Sequence, residues 1–330
     1  MPEISIVENS IFNIESLEDF NAVAIEIFQY QYKNNKVYKK FVDYLKTDID
    51  AIADYRSIPF LPIEFFKKHD VVCGKIDHPI IFSSSGTTGS ITSKHLVKDI
   101  QLYIRSFSKS FEIFFGDIKE YAVIALLPSY LERKGSSLVY MADKLIAESK
   151  NTASGFYLDE LEELGELLVS LREKGTNVLL LGVTYALLDI AEKYPIDFPE
   201  LILMETGGMK GRRKEMIRDE LHGILKTSFG VKNVYSEYGM TELLSQAYSK
   251  GEGVFITPPW MKVLIRDVND PLQLIDSGSS GGINVIDLAN IHSCSFIATQ
   301  DLGKSYSDGS FEILGRFDNS DVRGCNLMVE

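Results

Sequence analysis

Through the middle of the chain, runs of consecutive apolar residues alternate with longer stretches whose apolar positions recur at helical spacing. The runs fall at 79–82, 121–128 (YAVIALLP), 176–182 (TNVLLLG), 200–206 (ELILMET) and 232–239 (KNVYSEYG), and the periodic stretches at 99–115, 136–149, 158–173, 183–193 and 211–228. Unbroken apolar strands with amphipathic helices between them predict an α/β fold, a mostly parallel sheet covered by helices on both faces. Ahead of this core, Leu17, Phe20, Val23, Ala24, Ile27 and Phe28 fall on one helical face within residues 16–46. The stretch SIPFLPIEFFKKHDV follows, where Pro62 suits the first turn of a short helix running through Phe66. Beyond about residue 250 the helical pattern stops. Short runs at 260–266, 272–276, 282–287, 295–299 and 311–314, bounded by Gly, Asp and Asn, predict a small C-terminal antiparallel β subdomain, a sheet or barrel. The expected organisation is a helical segment over 1–78, a nucleotide-binding α/β core over 79–249 and a β-rich region over 250–330. No repeat or linker interrupts it.

Composition narrows the setting. With 45% hydrophobic and 25% charged residues, the 330-residue chain has the make-up of globular protein. No apolar run reaches the roughly 20 residues of a membrane-spanning helix, and the start, MPEISIVENS, has no signal-peptide pattern, so a cytoplasmic protein without a membrane span is expected. A net charge of −13 argues against nucleic acid as a partner. Cys73, Cys294 and Cys325 are odd in number and widely spaced, which reads as free thiols.

Three candidate loops each follow a strand candidate, where open α/β sheets place ligands. The first is FSSSGTTGS, Phe82 to Ser90, rich in hydroxyls and without charge. It fails the P-loop pattern because no lysine follows Gly89 directly. It reads either as a nest of amides and hydroxyls for a polyphosphate or as a plain Ser/Thr/Gly connector. The second is NVYSEYGMTELLSQ, 233–246, whose acidic turn precedes a predicted helix. There a glutamate can hold Mg²⁺, Thr241 can bond a phosphate oxygen and Tyr238 can offer a face to a base. The competing reading makes Thr241 the helix N-cap, with Glu242 favoured by the helix dipole. The third is ETGGMKGRRKE, 205–215, whose glycine pair permits close backbone approach or simply makes a turn.

With TQDLG (299–303) and GRFDNSD (315–321) after them, in that order, these loops resemble the adenylate-forming superfamily of acyl-CoA synthetases, peptide-synthetase adenylation domains and firefly-type luciferases. The resemblance spans residues 83 to 318. It implies that the Ser84-Ser85-Gly86-Thr87-Thr88-Gly89 loop holds the β- and γ-phosphates of ATP, with Thr87 and Thr88 on the pyrophosphate. It further implies that Gly207 and Gly208 with Tyr238 take adenine, Thr241 the α-phosphate, Glu242 Mg²⁺, and Asp301 and Arg316 the ribose, with Gly239 also among the ATP- or AMP-binding residues.

Two departures narrow the family. The superfamily's Gly-x-Pro-Lys continuation is Gly89-Ser90-Ile91 here, with Lys94 displaced. The sequence also ends at Glu330, soon after Arg316, so the expectation is a version without the C-terminal lysine domain of acyl-CoA synthetases. The phrase IPFLPIEFFK and the ending DVRGCNLMVE resemble the acyl-protein synthetases of bacterial bioluminescence fatty-acid reductase. That resemblance implies that a fatty or related carboxylic acid is activated as acyl-AMP and passed to Cys325, and on to a reductase, acyltransferase or carrier-protein partner. A thiol near a free end can swing, and Arg323 favours its thiolate; the competing reading is an idle tail cysteine. The alternatives are a ligase that passes the acyl group to CoA or a carrier thiol, and a non-catalytic nucleotide-binding scaffold.

Other signals are weaker. His69, Cys73 and His78 lack a fourth metal ligand, and His292 with Cys294 reads as structural. Gly278-Ser279-Ser280-Gly281-Gly282 fits a nucleophile elbow in letters, but a strand rather than a helix follows, so it reads as a turn. Residues 126–146 can line an acyl tunnel or pack as core.

Overall fold

A computed structural model of the chain describes residues 4–84, 91–128, 135–158, 160–207, 213 and 216–317, except for the side chains of residues 4–6. The chain divides into a terminal unit, Met1–Asp77 with Pro259–Glu330, and a central unit, His78–Pro258.

The terminal unit begins with α1 (Ile4–Ile11), α2 (Leu17–Asn34) and α3 (Lys36–Tyr44). A reciprocal cap starts α2: the Ser16 hydroxyl accepts from the Asp19 amide while the Asp19 carboxylate accepts from the Ser16 amide. Asn35 both ends α2 and opens α3, its side chain accepting from the amides of Val37 and Tyr38. The face expected from spacing is buried at Phe20, Val23, Ala24, Ile27 and Phe28, whereas Leu17 is exposed. Pro62 lies in a two-residue strand, β1 (Leu61–Pro62), and not in a helical first turn; α4 (Phe65–Lys68) starts later.

The central unit opens with a hairpin of β2 (Ile80–Ser83) and β3 (Lys94–Val97). It continues through α5 (Ile100–Phe115), β4 (Tyr121–Leu126), α6 (Ser137–Ser149), β5 (Gly155–Tyr157) and α7 (Leu161–Glu173). Then come β6 (Asn177–Val183), α8 (Thr184–Lys193), β7 (Ile202–Thr206), α9 (Arg218–Phe229) and β8 (Tyr235–Tyr238). β9 (Ala247–Ser249) and β10 (Val254–Ile256) complete it. Strands β5, β4, β6, β7 and β8 run parallel in that spatial order, and β9 and β10 extend the sheet antiparallel beyond β8. The consecutive residues Ala122 to Leu126 are all fully buried, which requires cover on both faces of the sheet. Helix α6 packs on β4, α7 and α8 on β6, and α8 on β7 as well.

Three expectations change here. The stretch before the hydroxyl-rich loop, 79–82, pairs antiparallel with β3 in a two-stranded sheet of its own, so that loop is a hairpin tip and not the end of a core strand. No helix follows Glu242, which rules out Thr241 as an N-cap; a turn leads straight into β9. The alternation missed β5, β9 and β10, each of three residues and too short to make a pattern.

The chain returns to the terminal unit through β11 (Met261–Arg266), β12 (Ser280–Asp287), β13 (Phe296–Ser305) and β14 (Phe311–Arg316). They form an antiparallel sheet in that order, and β1 adds parallel to β13. Residues 272–276 supply one isolated bridge, Arg266 to Leu274, in place of the expected strand. Gly278 makes the expected turn into β12. The core of this unit gathers around Phe296, whose ring centre lies 6.3 Å from Phe28, 6.2 Å from Tyr38 and 6.3 Å from Phe60. Buried Gln31 is fully used: its amide donates to Asn290 O, Ile291 O and the Ser295 hydroxyl, and its oxygen accepts from the Ser295 amide. Among the described residues no helix is long and apolar enough to cross a membrane.

Candidate functional site

The hairpin presents its loop from a closed neck. The Ser84 amide donates to Ser93 O at 3.1 Å, and the Ser93 amide donates back to the Ser84 hydroxyl at 2.9 Å. Phe82, buried at the base, sits 5.4 Å from Tyr103 and 5.7 Å from Tyr140, ring centre to ring centre. The Ser84 hydroxyl accepts at the neck and keeps its own O–H for a further partner; Ser85, Gly86, Thr87, Thr88 and Gly89 lie outside the described residues. Lys94 is exposed and paired with Ser83.

The second and third loops meet at the ends of neighbouring parallel strands. β7 pairs with β8 in the register Met204 to Tyr235 and Glu205 to Ser236, and Thr206 at the end of β7 meets Glu237 on β8. Gly207 has φ +77°, a left-handed conformation that suits glycine, while Gly208 falls outside the described residues. The Tyr238 ring is buried and packs edge-on against Phe255 at 6.1 Å, so most of its surface is a wall and not an open platform. The turn from Gly239 to Glu242 is closed by the Leu243 amide on Met240 O, and Glu242 begins a run of buried residues that lasts to Ser249. His95 on β3 reaches this turn, with Nδ1 2.9 Å from Thr241 O.

Beneath the turn lies a pair of carboxylates that sequence reasoning did not single out. The Thr206 hydroxyl donates to Glu237 Oε2 at 2.6 Å, and Glu237 Oε1 lies 2.3 Å from where a Cβ on Gly239 would stand. Any side chain at 239 would therefore displace that carboxyl. Glu205 accepts from the Thr184 hydroxyl at 3.2 Å, and His222 Nε2 stands 3.9 Å from its Oε1, an electrostatic separation and not a hydrogen bond. Burial opposes the charge on Glu205, but the polar groups of His222 and Ser236 and the positive charge of Arg218 outweigh it and hold this carboxyl below its usual range. Glu237 keeps a little solvent contact yet sits deep among protein atoms. That depth pushes it from 4.5 up to about 7; the Thr206 hydrogen bond opposes the rise and the Glu205 charge adds to it.

A raised carboxyl weakens the fold as it ionises. Below about pH 4.5 both folded and unfolded chains hold the proton; above that the unfolded chain releases it first, and stability falls until pH passes about 7. Glu237→Gln is expected to remove that loss, standing about 3 kcal/mol above wild type at pH 8 and level with it at pH 4, by the conversion of roughly 1.4 kcal/mol per unit. Urea unfolding at the two pH values reads it, and parallel profiles would contradict it.

The ribose candidates lie in the terminal unit and form one cross-strand pair. Asp301 on β13 is opposite Arg316 on β14, with Nε to Oδ1 at 3.2 Å. Asp301 is shielded while the Arg316 side chain is 72% exposed, so the arginine head is accessible to a ligand. Thr299 Oγ1 accepts from the Asp301 amide and braces it.

For Mg²⁺ the relevant test is the donor set. Among the described residues no three His, Cys, Asp or Glu side chains gather as a cage. A single buried carboxylate, Glu242, fits a magnesium ion delivered with nucleotide phosphates, because Mg²⁺ commonly takes one or two carboxylates and completes its shell with phosphate and water. The weaker metal candidates have structural surroundings. Cys73 Sγ lies 3.6 Å from Ile291 O and from Ser293 O, His292 Nε2 is 2.8 Å from Glu8 Oε1, and burial pushes the Cys294 thiol up to about 12. Cys325 lies outside the described residues.

A family model described as acyl-protein synthetase, LuxE, matches residues 13–330. No curated protein sequence matches the chain. Among solved structures, the chain is similar to ATP-bound MatB from Rhodopseudomonas palustris, with TM-score 0.54 and 18% identity, covering 82% of this chain and 52% of that one. It is also similar to 2-hydroxyisobutyryl-CoA ligase in complex with 2-HIB-AMP and CoA. In the thioesterification state of that enzyme the TM-score is 0.69 at 12% identity, over 97% of this chain and 70% of that one. In its open conformation the values are 0.66 and 11%, over 93% and 72%. At these identities the likeness is one of fold, and the chain spans about half the length of the MatB structures it matches.

Proposed function

We propose, since the chain belongs to the acyl-protein synthetase (LuxE) family, that it activates a carboxylic acid with ATP and carries the acyl group on Cys325. The observation that carries this reading is the convergence in the central unit. Gly207 follows β7 and Tyr238 ends the neighbouring parallel strand β8, and His95 joins the neck of the hydroxyl-rich hairpin to Thr241. The hairpin neck, the end of β7 and the turn after β8, far apart in sequence, support reading these segments as one nucleotide site.

In the proposed first step a carboxylate oxygen of the acid attacks the α-phosphorus of ATP. The bond from that phosphorus to the bridging oxygen breaks, pyrophosphate leaves, and acyl-AMP remains. Charge builds on the phosphoryl oxygens and the leaving group, so oriented donors do the main work. Thr241 is assigned to the α-phosphate, and Ser84 to Gly89, with Thr87 and Thr88 foremost, to the departing pyrophosphate. Gly207, Gly208, Tyr238 and Gly239 bound adenine, and Asp301 and Arg316 hold the ribose hydroxyls. Glu242 would hold a magnesium ion delivered with ATP, and the ion would supply positive charge beside the phosphates.

In the second step the Cys325 thiolate attacks the acyl carbon and AMP leaves, giving a thioester. A downstream acceptor then takes the acyl group, and a reductase, an acyltransferase or a carrier protein are the classes that use such a thioester. The substrate class favoured is a fatty or related acid. Incubation with ATP, Mg²⁺ and a panel of acids tests the reading through the nucleotide released: AMP with a fatty acid supports it, and no AMP with any acid removes it.

A further inference from the structure

His95 belongs to no motif in the sequence, yet it joins two of them. It lies on β3, two residues past Ser93, which closes the hairpin neck with Ser84. The residue is 1% exposed, and Nδ1 lies 2.9 Å from the carbonyl oxygen of Thr241, 146 residues away in sequence. A carbonyl only accepts, so Nδ1 carries the hydrogen and the ring donates. That carbonyl is part of the peptide plane between Thr241 and Glu242. Holding it fixes how both side chains leave the turn. A second tether, Ser106 Oγ to Ser245 Oγ at 2.9 Å, holds the far end of the same segment from α5, so the segment stays attached without His95.

We infer that His95 is a positioning residue: its Nδ1–H locks the Thr241–Glu242 peptide to the neck of the hydroxyl-rich hairpin, so that the two phosphate-facing segments keep one spacing. The inference rests on the adenylating function proposed above for its catalytic consequence, and on geometry alone for its structural one. Without the bond the carbonyl turns toward another donor, and Thr241 and Glu242 lose their common aim. A displacement of about 1 Å at such a point can lower a rate about 10²-fold.

The test uses the position of the donor. Asparagine carries its amide nitrogen where histidine carries Nδ1, whereas glutamine carries it where histidine carries Nε2. His95→Asn is therefore expected to keep near-wild-type ATP–pyrophosphate exchange, while His95→Gln and His95→Ala lose about 10²-fold. Hydrogen exchange gives a readout independent of activity. The Leu243 amide, which donates to Met240 O, should lose protection in the Gln and Ala variants and keep it in Asn, with the amides of β4 unchanged in all three. Equal behaviour of Asn and Gln in amide protection, whether both intact or both impaired, overturns the inference. If the wild type exchanges no pyrophosphate with any acid, the functional reading fails, while amide protection still decides what His95 holds.

Discussion

Cys325→Ser is expected to abolish hydroxylamine-labile acyl label on the protein while leaving acid-dependent pyrophosphate exchange at the wild-type rate. The two steps separate because exchange needs only adenylate formation, whereas the label needs a nucleophile for the acyl carbon. A serine hydroxyl without an adjacent base is a far weaker nucleophile than a thiolate. The other two cysteines are poorly placed to substitute. Cys73 is buried with its sulfur against two backbone carbonyls, which keeps it from an acyl-adenylate, and Cys294 is buried with its thiol pushed up to about 12, so it offers no thiolate near neutral pH. Incubation with labelled fatty acid and Mg·ATP, followed by hydroxylamine, reads the result. Label that persists in the variant contradicts the role of Cys325, and label that appears on added CoA instead points to an external thiol as acceptor.

Glu242→Gln is expected to lower pyrophosphate exchange by roughly 10²–10³-fold, the range found when one oriented electrostatic contact to a developing charge is removed. The substitution keeps the shape of the side chain and removes its charge, so it leaves the packing of the buried run that follows largely undisturbed. It should also raise the magnesium concentration needed for half-maximal rate, because a neutral amide is a poorer ligand for a hard cation. Thermal melting followed by circular dichroism confirms that the variant is folded. A folded variant with wild-type magnesium dependence contradicts the assignment of Glu242.

Much of the central unit was legible because its strands are buried on both faces. YAVIAL and NVLLLGV are continuous apolar runs for that reason, and the amphipathic spacing between them located α5 to α8 to within a few residues. The segment after Glu242 was illegible for a related reason. TELLSQAY has helical letters, but Leu243, Leu244, Ala247 and Tyr248 are all buried and leave no polar face, so tertiary enclosure replaces the expected helix with a turn and a short strand. The hairpin reading failed because antiparallel return within residues 80–97 depends on the loop at its tip, where hydroxyls and glycine carry no strand signal.

At the site, glycine and hydroxyl content marked the loops, and the cross-strand pair Asp301–Arg316 came from two motifs that resemblance had already linked. The contacts that organise the loops left no local trace. Thr206 and Glu237 meet across strands 31 residues apart in sequence, and His95 and Thr241 meet across 146. Glu237 stood in plain view next to Tyr238, but its raised carboxyl depends on depth and on Glu205, both properties of the folded chain.

Exchange of labelled pyrophosphate into ATP, screened across short, medium and long carboxylic acids with the wild-type chain, tests the central claim most directly. The account predicts exchange that depends on both the acid and Mg²⁺, strongest with a fatty or closely related acid. No exchange above background with any acid, from a chain shown to bind ATP, would contradict it and leave a nucleotide-binding scaffold in its place.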